Sequence, residues 1–496
     1  MKKTASAYLP LASLVVVFVF LGIFLCSYDQ YPIDDDWSYI KAAETFHHTG
    51  EMKFTPWTAM SLVFQIWWGT LFTKLFGFSI EMLRVSILAI SLLGLIFLYL
   101  LLRELGYSIQ AGFISVLVVL CNPFSFPLMF TFFTDQSFIA LLVIATYFFF
   151  KGFRDDTNTS LLIASLVSAC AVLVRQNGIL IPLAVFVYLV VRERSLRKSI
   201  SKGLLILGVP LAALIGFSYW LNVVHGVPSE YVRQMGTIID NLKKPHILLI
   251  KAIWRPVLIL EFIGFSLIPF SFSLLTGVRG SARKNVNLFF LLFCTIVTLF
   301  YLLFDHVGLP ATIDLWINGF RFAFISEYGY RDFLSIAFFF NKILDVASLA
   351  SVIYLIYLLA ECRKPIREKF SLRAPSCLIL FIGLAQVLFL LTTLFNFSRY
   401  FLTLVPFFLV IAAELASHIT VRKKIFIPLL AGYLLFSLAA TQDMMSWNQC
   451  KWRVAQQLLD KGISPQKISA GFVWPGQARK FCETMAAGTD LCRGSC

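Results

Sequence analysis

Three aspartates stand side by side at positions 34–36, followed by Trp37, Ser38 and Tyr39. Adjacent carboxylates repel one another and persist together only where cations, a metal ion or a solvated loop offsets the repulsion. A carboxylate kept ionised in this way is a candidate general base for an acceptor hydroxyl or amine. Asp34 and Asp36 also have the spacing of a two-aspartate metal motif, so a divalent cation is possible, though nothing in the sequence requires one. The plainer alternative is a hydrated loop in which an Asp caps a helix that begins at Trp37-Ser38-Tyr39-Ile40-Lys41.

Arginines elsewhere in the chain supply complementary chemistry. The planar guanidinium fork matches phosphate oxygens. Arg399-Tyr400, Arg84 and Arg175 are the candidates, and Asp135, in Thr134-Asp135, is a second acid. Each has an ordinary alternative. Asp135 would cap a helix, Arg84 and Arg175 would snorkel to lipid headgroups, and Arg399-Tyr400 would anchor a span at the interface. Taken together, a base and a guanidinium could remove a proton from an acceptor while stabilising a departing lipid phosphate. That chemistry is glycosyl transfer from a polyprenyl-phosphate donor.

The elements that must position these groups are apolar helices. Hydrophobic residues make up 59% of the 496, charged residues 14%, and mean hydropathy is +0.81. Soluble domains carry roughly 45–50% apolar and about 25% charged residues. This composition excludes a soluble enzyme, a disordered chain and a disulfide-stapled secreted domain. A lipid core accepts only helices or closed barrels, and the long continuous apolar runs here lack the alternation of barrel strands. A span needs roughly 20 apolar residues. That ruler predicts about 13 spans, near 9–28, 81–102, 109–129, 135–151, 159–174, 177–191, 203–221, 254–276, 286–304, 342–360, 376–395, 400–420 and 425–441, with 57–78 as a further candidate.

Charge sets the sidedness. Every alternate loop is rich in Lys and Arg, most densely at Arg192–Lys202, Arg363–Arg373 and Arg422–Lys424. By the positive-inside rule the N-terminus is cytoplasmic and the C-terminal tail extracytoplasmic. The net charge of +15 is explained by these clusters, so no nucleic-acid partner is expected. The first apolar run lacks a small-residue cleavage site and reads as an anchor. On the outer side lies segment 29–80, with amphipathic pieces whose Trp57, Trp67 and Trp68 suit the membrane interface.

Residues 1–441 therefore form a transmembrane domain, and 442–496 a small extracytoplasmic α/β domain. Its expected elements are a helix over about 446–461, a turn at Gly462 and a strand through Ile468–Val473. Cys26, Cys121, Cys170, Cys294, Cys362 and Cys377 read as core fillers. Cys450, Cys482, Cys492 and Cys496 are an even set that could pair and brace the tail. No βαβ pattern and no glycine-rich phosphate loop is present. A soluble nucleotide-sugar site is therefore not expected, and a glycosyl donor would arrive through the bilayer.

The motifs also resemble a known family. Asp35-Asp36-Trp37-Ser38-Tyr39 resembles the Asp-Glu-x-x-Tyr motif of GT-C glycosyltransferases, in the branch of protein O-mannosyltransferases and lipid A aminoarabinose transferases. Lys53-Phe54-Thr55-Pro56-Trp57, Leu75-Phe76-Gly77 and Leu83-Arg84 are similar to that branch's Lys-Pro-Pro-Leu segment, Leu-Phe-Gly turn and Leu-Arg pair. Thr134-Asp135 sits where the branch carries its second outer acid, and Arg399-Tyr400 with Pro406 is similar to its Arg-Tyr-x-x-x-x-x-Pro element. The family's Glu is Asp36 here, and Asp34 is extra.

The resemblance implies an all-α GT-C-like bundle with Asp35 or Asp36 as general base and Asp135 orienting the base or the acceptor. Arg399 would hold the donor phosphate, with Lys53, Arg84 and Arg175 as further candidates and Tyr39 and Tyr400 beside them. It implies a polyprenyl-phosphate-linked sugar as donor, a lipid, glycan or protein as acceptor, and a bacterial inner membrane setting. A lipid-linked glycan flippase would instead gather charge at mid-membrane on repeated halves. A glycan polymerase or ligase would use a large outer loop rich in Arg and His, for which 305–341 offers Arg321, Arg331 and His306.

Overall fold

The structure is a computed structural model that describes residues 2–25, 31–193, 196–274, 331–392 and 398–468. It is a multi-pass helical bundle, and the described residues contain no strand. In chain order the helices are α1 (Lys2–Leu25), α2 (Asp36–Thr49), α3 (Val63–Phe76), α4 (Ile80–Glu104), α5 (Ile109–Leu120), α6 (Thr134–Arg154), α7 (Asn158–Val174), α8 (Leu180–Arg192) and α9 (Leu196–Tyr219). They continue as α10 (Ser229–Leu242), α11 (Pro245–Ser266), α12 (Ile268–Leu274), α13 (Arg331–Glu361), α14 (Arg363–Lys369), α15 (Cys377–Thr392), α16 (Ser398–Phe401), α17 (Val405–His418) and α18 (Lys423–Asp460).

Among the described residues six helices are long and apolar enough to cross a bilayer, at 80–104, 134–154, 199–225, 343–361, 399–418 and 423–460. A seventh crossing results if Arg255–Ser266 and Ile268–Leu274, bent by 71° at Leu267, count as one. Shorter apolar helices occupy the expected spans near 9–28, 109–129, 159–174, 177–191 and 376–395, and 286–304 lies outside the described residues. Among the described residues, full-length helices are thus fewer than the 13 spans expected.

Local chemistry explains one shortening. The span expected over 109–129 stops at Leu120, because Asn122 turns the chain: its side-chain oxygen accepts the N–H groups of Phe124 and Ser125. Pro127 then opens a single 3₁₀ turn to Phe130. Residues 124–133 stay buried but irregular, so the expected span is in part a packed loop. That loop leads directly into α6 and its Asp135.

The bundle is organised around α6, which is buried along nearly its whole length. It packs on α4 and α7, and α7 packs in turn on α9. Helix α7 meets α8 through the tight hairpin at Arg175–Gly178. A Cβ on Gly178 would lie 2.5 Å from the backbone of Ala171 and Val172, so only glycine fits. The segment proposed as a further span is the 14-residue α3, too short to cross. Its Trp67, Leu71, Leu75 and Phe76 are exposed on one face, as suits a helix lying at the interface.

Helix α18 runs unbroken through the expected boundary at 441, since residues 423–460 hold no glycine or proline beyond its first three turns. Its far end packs on the first loop. Trp452 stacks on Tyr31 at 5.7 Å and donates its indole N–H to the Pro32 carbonyl at 3.2 Å. The chain turns at Gly462, whose φ is +79°. Apart from Ile468, the expected strand lies outside the described residues, as do Cys482, Cys492 and Cys496; Cys450 is exposed on α18.

Candidate active site

The three consecutive aspartates take up three different environments. Asp34 sits at φ +48° and is exposed, Asp35 is half-buried, and Asp36 is fully buried. A turn makes the difference: Asp36 N–H bonds the Ile33 carbonyl at 3.2 Å, and Ser38 N–H bonds that of Asp35 at 3.2 Å. Helix α2 then begins at Asp36, which places Asp35 at its N-cap. The expectation of a helix starting at this cluster holds, but no Asp side chain caps it in the usual way.

Asp36 acts inward. Its Oδ1 accepts the Ile33 N–H at 2.5 Å and its Oδ2 the Phe132 N–H at 3.3 Å, which ties the first loop to the loop before α6. Burial pushes its carboxyl up to about 7. The Arg84 guanidinium and the two N–H groups pull it down, and Asp34 adds to the rise. Arg84 is itself buried and donates to the Tyr31 carbonyl at 2.6 Å, so it does not snorkel. Both oxygens of Asp36 face backbone donors. Among the described residues no group of three or more His, Cys, Asp or Glu is spaced to hold a metal ion.

Asp35 acts outward. Its Oδ2 accepts from Arg399 Nη2 at 2.7 Å, and its Oδ1 accepts the Trp57 indole N–H at 3.1 Å. Arg399 comes from the short helix α16, and its guanidinium lies over the Phe133 ring at 4.8 Å and the Tyr400 ring at 5.8 Å. The Arg175 guanidinium also lies over the Tyr400 ring, at 5.4 Å. Arg175 pairs with Asp135 Oδ1 at 2.8 Å and donates from Nε to the Thr134 hydroxyl at 2.8 Å. Asp135 thus opens α6 without capping it and faces an arginine.

Residues 63–221 match the family model described as dolichyl-phosphate-mannose-protein mannosyltransferase. The chain resembles the GT-C glycosyltransferases. A structure of ArnT from Cupriavidus metallidurans bound to undecaprenyl phosphate is similar at 14% identity, covering 94% of this chain and 74% of that chain, with a TM-score of 0.47. The archaeal oligosaccharyltransferase AglB from Archaeoglobus fulgidus, in complex with an inhibitory peptide and a dolichol-phosphate, is similar at 14% identity, covering 79% of this chain and 55% of that chain, with a TM-score of 0.31. No curated protein matches.

In this GT-C-like chain the candidate residues fall into three groups. Asp35, Arg399, Tyr400, Arg175 and Asp135 come together with Tyr39. The Tyr39 hydroxyl donates to the Met60 sulfur at 3.0 Å, and its surroundings include the charges of Asp35, Arg399 and Arg175. Burial pushes the Tyr39 phenol well up, Asp35 reinforces this, and the two arginines oppose it. Arg399 also lies within electrostatic range of Asp135. Asp36 and Arg84 form a buried layer behind these groups. Lys53 stands apart, exposed and paired with the exposed Glu51.

Two participants were not legible beforehand. The sequence suggests an interfacial anchor at Trp57, yet its indole faces Asp35. Thr134 was seen only as the neighbour of Asp135, yet its hydroxyl takes the Arg175 Nε–H. An indole beside Lys-x-x-Pro on a hydrophobic loop carries no signal that separates a lipid anchor from a hydrogen-bond donor.

Proposed function

We propose that the chain transfers a sugar from a polyprenyl-phosphate donor to an acceptor hydroxyl or amine at the extracytoplasmic face of a bacterial inner membrane. The observation that carries this reading is the 2.7 Å contact between Arg399 Nη2 and Asp35 Oδ2, which sets a phosphate-binding group against a base. The acceptor is a lipid, a glycan or a protein.

The reaction is a single inverting displacement. Asp35 takes the acceptor proton as the acceptor oxygen or nitrogen bonds the anomeric carbon. The bond between that carbon and the phosphate oxygen breaks, and its electron pair goes to the phosphate. Arg399 stabilises the charge that develops there. Asp35 suits the role of base because it is the partly accessible member of the trio, with a side chain 20% exposed, whereas Asp36 is fully buried and committed to backbone donors. Asp135 pairs with Arg175, whose guanidinium packs on the Tyr400 ring beside Arg399, and in this reading that packing orients Arg399. Nothing in this scheme requires a divalent cation.

The test is Asp35→Asn, expressed in the cell that normally carries the protein. The variant should reach the membrane at the wild-type level while the glycoconjugate that depends on this chain disappears. Full production of that glycoconjugate would remove Asp35 as base.

A further inference from the structure

Residues 50–62 contain no helix, yet the neighbours of Trp57 are bonded to two separate helices, α2 and α10. Thr55 and Thr58, on either side of Trp57, are both buried. Their hydroxyls meet the buried Ser38 hydroxyl at 2.5 and 3.1 Å, and Thr58 N–H closes on the Thr55 carbonyl at 3.0 Å. The start of α10 also grips Pro56, whose carbonyl accepts the Glu230 N–H at 2.9 Å and the Ser229 hydroxyl at 3.3 Å. Two residues further back, Phe54 N–H donates to His225 Nε2 at 2.9 Å, and its ring packs on His225 and Trp220. Ser38 lies in the same helical turn as Asp35, so the clamp and the carboxylate share one anchor.

A carboxylate is loosely defined in rotation about its last torsion. Donors on both oxygens fix its plane. Arg399 supplies one, and the Trp57 indole supplies the other. When a donor phosphate draws on the Arg399 guanidinium, the indole is the contact that still orients Asp35.

We propose that Trp57 is a positioning residue for the transfer, and that its indole N–H, held by the Ser38–Thr55–Thr58 cluster and by α10, fixes the Asp35 carboxylate for proton removal. The inference rests on the reading of Asp35 as general base.

The experiment uses the full-length chain in nanodiscs of phosphatidylethanolamine and phosphatidylglycerol. Undecaprenyl-phosphate-linked hexoses and pentoses serve as donors, an envelope extract supplies acceptors, and released undecaprenyl phosphate is the readout. Two substitutions at position 57 are compared with wild type. One is Trp57→Phe. The other replaces the indole by benzothiophene, which keeps the bicyclic shape and removes only the N–H. Both should lower kcat about tenfold to a hundredfold, in line with the sensitivity of proton transfer to small misplacements. KM for the donor should change little.

A benzothiophene variant that melts like wild type and turns over at the full rate would overturn the inference, because packing alone would then account for Trp57. Asp35→Asn in the same assay separates the two readings. If Asp35→Asn is inactive while both Trp57 variants are fully active, only the role of Trp57 falls. If Asp35→Asn is itself active, the base assignment falls.

Discussion

Arg399 Nη2 and Asp35 Oδ2 are 2.7 Å apart, although 364 positions separate them in the chain. The side chains are 15% and 20% exposed, so the pair is largely withdrawn from water yet still reachable. On the proposed mechanism this guanidinium turns from the carboxylate to the incoming phosphate. The first prediction follows. Arg399→Ala should lower the transfer rate by about 10²–10³, the usual effect of removing a group that stabilises developing charge. Arg399→Lys should recover only part of it, because an ammonium lacks the fork. Initial rates on membranes from cells expressing each variant would decide. A fully active lysine variant would show that charge alone suffices.

The Arg175–Asp135 pair is more deeply placed, with side chains 11% and 2% exposed. Removing one partner strands a charge away from water, at a cost of about 3–5 kcal/mol. Arg175→Ala should therefore melt well below wild type in a thermal scan. The double variant Arg175→Ala/Asp135→Ala should recover part of the loss. Additive losses would mean that the two side chains are not coupled.

The buried carboxyl of Asp36 gives a pH dependence whose sign is fixed. Its ordinary value is 3.8, and burial raises it to about 7 in the folded chain. Between those values the folded state holds a proton that the unfolded state has lost, so stability falls as pH rises. Below about 4 both states are protonated and above about 7 both are ionised, so the dependence is flat on either side. Asp36→Asn should remove this slope while lowering stability throughout, because its amide sets an NH₂ against one of the N–H groups of Ile33 and Phe132. Melting temperatures in nanodiscs across this range would test it; an undiminished slope in the variant would assign the effect to another group.

Helices α4 and α6 approach each other at Gly94, where a Cβ would lie 2.9 Å from the Ala140 backbone. A side chain there must push the helices apart, and overpacking of this kind costs about 1–3 kcal/mol. These helices carry Arg84 and Asp135. Gly94→Val should therefore lower both the melting temperature and the transfer rate, whereas a substitution at the exposed Leu93 should change neither. Equal effects at the two positions would remove the close-approach argument.

The amino-acid sequence determined the helical membrane character, because continuous apolar runs near 20 residues leave a lipid-embedded chain no other way to satisfy its backbone. It also marked the groups able to do chemistry: ionisable side chains among apolar runs are costly, and few are present without a reason. It could not say which of Asp34, Asp35 and Asp36 would meet solvent, since that depends on a turn stabilised by the Phe132 N–H from another loop. Nor could hydropathy separate a crossing helix from the packed loop at 124–133, as both are uniformly apolar. The contact of the Trp57 indole with Asp35, the isolation of Lys53 and the meeting of Asp35 with Arg399 appear only in the tertiary structure. Each depends on which helices lie side by side, and helix packing is decided by shape and close approach that no local pattern of residues encodes.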